Sequence, residues 1–216
     1  MAHTSGPDAA KKIMSPPSAV REWDSRDVLA LIREFPLATI SSPSWPDSLP
    51  LFLPLLAHAD DKGHIIRLEG HLARRRFPPA DLQAPYSVRA LFCGPQAYVS
   101  PHLVTNRNWI PTWNYARAEL RGILRFHEEQ TWQSVQDLVH VMETAQPDPW
   151  TLDEAGERAT RLAQHIVAFT IEVDGIDAAF KLGQDETPEI FSEIVANHPD
   201  RALARWMQRF RDNPPA

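Results

Sequence analysis

The sequence predicts an α+β protein built on an antiparallel sheet or barrel with peripheral helices, and three observations carry that expectation. Predicted strands follow one another along the chain instead of alternating with helices, which argues against a doubly wound parallel sheet. Helical periodicity is confined to a stretch near residue 30, a region from about 129 to 164, and the segment beyond 187. Twenty prolines against eight glycines in 216 residues divide the chain into short elements joined by rigid turns.

The elements read in order as follows. Residues 1–18 are small, polar and proline-containing, and predict a poorly ordered tail ahead of one domain over 19–216. Asp24 or Ser25 caps a short helix whose apolar face is Val28, Leu29, Leu31, Ile32 and Phe35, and Pro36 ends it. Leu37–Ile40 is a strand. Leu49–Leu56, punctuated by Pro50 and Pro54, suits a sheet edge. Asp60-Asp61-Lys62-Gly63 is a hairpin signal before a strand over His64–Glu69. Ser87–Cys93 and Gln96–Val99 are strands separated at Gly94-Pro95 by a turn or bulge, and Ala118–His127 is another. From about Glu129 to Thr144 the period changes, placing Trp132, Val135, Leu138, Val139 and Met142 on one helical face. A second helix ends near Gln164. Ile166–Val173 alternates as a strand does, with Asp174-Gly175 as a turn and Ala178–Leu182 as its hairpin partner. Thr187-Pro188 opens a helix to about Ala196. Ala202, Leu203, Trp206, Met207 and Phe210 define a last one, so that helices close the chain over about 187–211. The sum is about eight strands and four or five helices.

Composition narrows the function. A net charge of −6 provides no global attraction to nucleic acid or an anionic membrane, so any DNA contact needs a local patch. Arg201, Arg205 and Arg209, four apart in the last helix, are the candidate, although such a face is more often simply solvated. The one cysteine, Cys93, leaves no internal disulfide and fits a cytoplasmic protein. No apolar run approaches the roughly 18–20 residues of a membrane span, and Lys11 and Lys12 are followed by no apolar stretch of signal-peptide type. Scattered histidines without a paired motif disfavour a zinc site. There is no glycine-rich phosphate loop and no Gly-x-Ser-x-Gly elbow, and no acid, base or nucleophile can be nominated.

Four stretches stand out instead: Gly70-His71-Leu72-Ala73-Arg74, Gly94-Pro95-Gln96-Ala97-Tyr98-Val99-Ser100-Pro101, Ile110-Pro111-Thr112-Trp113-Asn114-Tyr115, and Lys181-Leu182-Gly183-Gln184. In this order they resemble the PaiB family of FMN-binding negative transcriptional regulators, over about Val28 to Glu189. The chain departs from the family pattern at Arg75-Arg76-Phe77-Pro78, at His102-Leu103-Val104, at Gly183 and at Phe52. The resemblance implies a split β-barrel like that of pyridoxine-phosphate oxidases, forming a homodimer with FMN at the subunit interface.

FMN requires donors for a phosphate dianion, an apolar or aromatic bed for the ring system, and hydrogen bonds to its pyrimidine edge. His71, Ala73, Arg74 and Arg75 follow a predicted strand, and an arginine fork suits phosphate; the same run also reads as a solvated basic turn. Thr112, Trp113, Asn114 and Tyr115 offer an aromatic wall and an amide, or equally a packed corner. Tyr98 and Ser100 alternate along a predicted strand and should share a face, and Lys181 and Gln184 close the last strand. The implied function is a flavin-binding PaiB-like regulator. The alternatives are an FMN-dependent oxidoreductase or haem-degrading relative of the same fold, and a member that has lost flavin and persists as a dimeric interaction module.

Overall fold

A computed structural model describes residues 22–45 and 49–212; the tail expected over residues 1–18 lies outside them. Helix α1 (Ser25–Glu34) is capped by Asp24, whose side chain accepts from the backbone N–H groups of Arg26 and Asp27, while the Asp27 carboxylate accepts from the Asp24 N–H. Both halves of a capping box are therefore present. Then come strands β1 (Leu37–Ser41), β2 (Leu51–Pro54), β3 (Leu56–Ala59), β4 (Ile65–Ala73), β5 (Tyr86–Val99) and β6 (Thr112–His127). Helices α2 (Thr131–Glu143), α3 (Leu152–Ala155) and α4 (Glu157–Ala163) precede β7 (Ile166–Lys181), and α5 (Pro188–Asn197) and α6 (Arg201–Asp212) follow it.

All seven strands form one antiparallel sheet in the order β2-β1-β5-β6-β7-β4-β3. Its two edges, β2 and β3, are consecutive in the chain with only Leu55 between them. One kinked segment thus supplies both edges, and the sheet must curl until they meet: a split barrel. The expected edge strand over Leu49–Leu56 is this segment. At the kink the Leu55 N–H leaves the ladder and donates to the Pro36 carbonyl, 2.9 Å away. Gly70 makes the closure feasible. A Cβ there would lie 2.6 Å from Leu55 Cδ2 and 3.2 Å from the Pro54 carbonyl oxygen, so only a residue without one lets β4 pass this close to the kink.

The barrel interior is filled by alternate residues of the strands. Leu55, Leu68, Phe92, Leu120, Leu124, Phe169 and Ile171 are all inaccessible to solvent, and α1 adds Val28, Leu31 and Ile32. At the far end α6 docks through Trp206 and Phe210. Phe210 stacks on Phe180 of β7, with centroids 5.3 Å apart, and Trp206 Nε1 donates to Glu34 of α1 at 2.9 Å.

Two expected interruptions are bulges within longer strands. Between Cys93 and Gln96, β5 spends one more residue than β6, because Cys93 faces Arg117 and Gln96 faces Tyr115. Pro95, lacking an N–H, fits the unpaired position. Asp174-Gly175 is not a hairpin turn. Arg121 faces Gly175 and Gly122 faces Val173, so Asp174 is the extra residue and β7 continues to Lys181 alongside β6. The two halves that looked like hairpin partners are one strand, because β6 offers a template long enough for both. Seven strands among the described residues, rather than about eight, follow from this merging and from the division of the edge segment.

Helix α2 forms where its periodicity predicts, but its apolar stripe is not buried. Thr131 and Ser134 face inward, whereas Trp132, Val135, Leu138 and Val139 stay partly exposed and Met142 is exposed. The helix is fastened at its start, where Thr131 Oγ1 accepts from the Ala168 N–H of β7 at 3.2 Å.

Candidate functional site

The motif residues fall into two groups on the outer surface of the barrel. In the first, β4 runs through Ala73, so His71 and Ala73 belong to the strand itself and do not follow it; their partners on β7 are Ala168 and Ile166. Leu72 points inward, His71 and Ala73 outward. Residues Arg74–Arg76 then make a single 3-10 turn. Arg74 is held by an ion pair with Glu128, whereas exposed Arg75 has no ion-pair partner among the described residues. The His71 Nδ1 atom is buried without a hydrogen-bond partner. Desolvation pushes this imidazole below its ordinary value, against a smaller opposing pull from the charge of Glu69. Such a nitrogen is open to a hydrogen bond with a bound group.

In the second group, Trp113 of β6 faces Tyr98 of β5 across the ladder, and their rings lie 6.2 Å apart. Both are about half exposed, forming an aromatic platform on the barrel surface. Trp113 Nε1 donates to Gln96 Oε1 at 2.7 Å. Tyr115, next outward along β6, faces Gln96 on one side and Lys181 on the other, and the Lys181 ammonium donates to Thr112 Oγ1.

Three residues of this group sit otherwise than their motif suggests. Asn114 points into the barrel end at 1% exposure, its Nδ2 3.6 Å from Met207 Sδ and its Oδ1 without a partner; its amide is not offered to the outer face. Ser100 does not continue the strand of Tyr98, because β5 stops at Val99; its Oγ accepts from the His102 N–H and caps a 3-10 turn over Pro101–Leu103. Gln184 folds back to accept from the Leu182 N–H and donate to the Phe180 carbonyl. This closes β7 around Gly183, which at φ +76° takes a left-handed conformation that favours glycine.

The two groups lie at opposite ends of β7: Ala73 pairs with Ile166 and Tyr115 with Lys181. Fifteen residue steps separate those partners, or about 50 Å along the strand. The first end has Arg74, Arg75 and the unsatisfied imidazole, the second the aromatic platform, Thr112 and the Lys181 ammonium.

Beside the first group lies a feature that the motifs did not signal. A groove of about 1180 Å³ runs between Arg74–Arg75, α2 and α3–α4. Trp132 and Val135 of the α2 stripe line it, together with Trp150 and Leu162. The arginines of α6, by contrast, are engaged within the chain. Arg201 Nη1 donates to the carbonyls of Ala196 and His198, Arg205 pairs with Glu34 at 2.8 Å, and the Arg209 guanidinium lies over the Trp206 ring. No helix among the described residues is long and apolar enough to cross a membrane.

A family model described as "Putative FMN-binding domain" matches residues 14–175. The protease synthase and sporulation protein PAI 2 of Bacillus subtilis is 23% identical over 181 residues, covering 83% of this chain and 86% of that one. An uncharacterised protein of Emericella nidulans is 26% identical over 72% of this chain and 78% of its own. Among solved structures, the FAD and heme binding protein of Mycobacterium smegmatis superimposes with a TM-score of 0.49 at 14% identity, over 82% of this chain and 80% of that one.

Proposed function

Because the chain belongs to the PaiB-like family of FMN-binding domains, we propose that it is an FMN-binding homodimer acting as a negative transcriptional regulator, with each flavin site built from two copies. The observation that carries this reading is the separation of the two motif groups along β7. One copy contributes His71, Arg74 and Arg75, with the Ala73 backbone, at the phosphate. Its partner contributes the Tyr98–Trp113 platform, with Thr112, Tyr115 and Lys181 at the ring edge. Ser100, Asn114 and Gln184 support from behind by fixing the strand ends on which the platform stands.

Each residue has a definite task. The Arg75 guanidinium is uncommitted and can bond a phosphate through two parallel N–H groups. Glu128 holds Arg74 in place beside it. A phosphate oxygen would also satisfy His71 Nδ1 and favour its protonated form. The Tyr98 and Trp113 faces cover an aromatic ring system at little entropic cost, since each side chain has only two rotatable bonds. Bound FMN supplies one- or two-electron redox chemistry; the protein's part is to hold it and shield one face. Regulation then runs through the flavin state or the dimer surface, since the α6 arginines are already committed within the chain.

Mixed dimers test the shared site. Arg75→Ala and Trp113→Ala should each abolish tight FMN binding as homodimers. Coexpressed, they should form heterodimers carrying one intact site and one doubly defective site, restoring FMN to about half of that fraction. Failure of the mixture to recover any binding sinks the two-copy site.

The reading as an FMN-dependent oxidoreductase is favoured by one observation, the groove beside Arg74–Arg75, which has room for a second molecule. Turnover of NAD(P)H by the flavin-loaded protein with an added acceptor decides for it; a regulator shows no such turnover.

A further inference from the structure

We propose that the groove between the end of β4 and helices α2–α4 is a separate binding site for an amphipathic carboxylate: an apolar body bearing a single anionic head. Its volume, about 1180 Å³, slightly exceeds the roughly 300–1,000 Å³ of pockets that hold small organic ligands. The walls are apolar and wet. Trp132 and Val135 of α2 face it from one side, and Trp150 and Leu162 from the other, 40% and 58% exposed. A helix whose apolar stripe was built for burial and stays hydrated leaves a hydrophobic driving force for an occupant.

The charge pattern selects which occupant. The lining contains no aspartate or glutamate, although the chain carries 28 of them. Its charged side chains are Arg74, Arg75 and Arg158, with His165 alongside. Arg74 and Arg75 are already assigned to the flavin phosphate. Arg158, on α4, takes no part in that assignment and has no ion-pair partner among the described residues. Its exposed guanidinium over an apolar trough matches a molecule with one carboxylate and a hydrocarbon or aromatic tail, charge-assisted at the head and desolvated along the body. A neutral hydrocarbon would leave the arginine unused, and a polyanion without an apolar body would leave the tryptophans unused. The occupant of the second site is therefore an acyl or arylalkyl anion. The inference goes beyond the flavin reading, because Arg158, Trp150 and Leu162 take no part in it.

Calorimetric titration of the purified full-length protein with decanoate, and with decanol as the neutral probe, tests this. One saturable decanoate site per chain is expected, binding about tenfold or more tightly than decanol, as a charge-assisted hydrogen bond requires. Arg158→Ala should abolish that preference by weakening decanoate alone, and Leu162→Gln should weaken both probes. FMN titrations of the same variants should be unchanged, so loss of flavin binding and loss of decanoate binding are read separately. Both side chains are exposed, so neither change threatens folding. The proposal is overturned if decanoate does not bind saturably, or if both variants bind it as the wild type does. Competitive displacement of decanoate by FMN would equally overturn it, by making the groove part of the flavin site. So would a shift of Leu162→Gln from dimer to monomer in sedimentation, which would make the groove a contact between copies.

Discussion

Gly70 and His71 are adjacent in one motif and face opposite sides of β4, and their tasks divide accordingly. Gly70 faces the kink at Pro54–Leu55 and sets how closely the barrel closes. Gly70→Ala should destabilise the protein by about 1–3 kcal/mol through overpacking, read as a lower urea midpoint at unchanged slope, since the Pro54 carbonyl cannot move aside without shifting the edge strand. His71 faces outward and is held neutral by desolvation. The unfolded chain takes up a proton as pH falls below the ordinary value of 6.5, whereas the native imidazole resists it. Stability that is present above that value is lost as pH falls toward the depressed native one. Urea midpoints at about pH 7.5 and 5.5 should therefore differ less for His71→Gln than for the wild type; equal differences would assign the acid sensitivity to other groups.

At the scale of elements, the instructive cases are β7 and α2. Asp174-Gly175 is a good turn signal, yet the strand runs through it, because pairing with β6 on both sides outweighs the local preference and absorbs Asp174 as a bulge. Helix α2 was legible from its period, but periodicity reports only that an apolar face exists and does not name its partner. Here Trp132 and Val135 of that face line a groove, and the helix is tied down by the bond from Ala168 to Thr131. Thr131→Val keeps the shape and removes this bond to the Ala168 N–H, at a cost of about 0.5–1.5 kcal/mol. Amide exchange in α2 should accelerate along with the loss in stability; unchanged exchange there would show that the groove walls, not this bond, hold the helix.

On the scale of the whole molecule, the two halves of the candidate site lie at opposite ends of β7, and the proposed dimer would bring complementary halves together. Trp113→Glu places a charge on the aromatic platform, about half exposed in one chain. If that platform faces a second copy, the variant should sediment as a monomer and release FMN in the same step. A dimer that keeps its mass but loses flavin would confine the platform to cofactor binding. The sequence by itself determined the α+β class, the capped helices α1 and α5 and the edge character of the segment around Pro50 and Pro54, because these follow from local periodicity and proline chemistry, and FMN as the cofactor through its resemblance to a family. Only the tertiary structure decided that the edge segment closes a barrel, that Asn114 faces inward while Trp113 faces outward, that the α6 arginines are spent on Glu34, on Trp206 and on the carbonyls that end α5, and that α2 walls a groove. Each of these depends on what lies opposite a residue across a gap in sequence, which strand register and packing set and which a local reading of the chain does not contain.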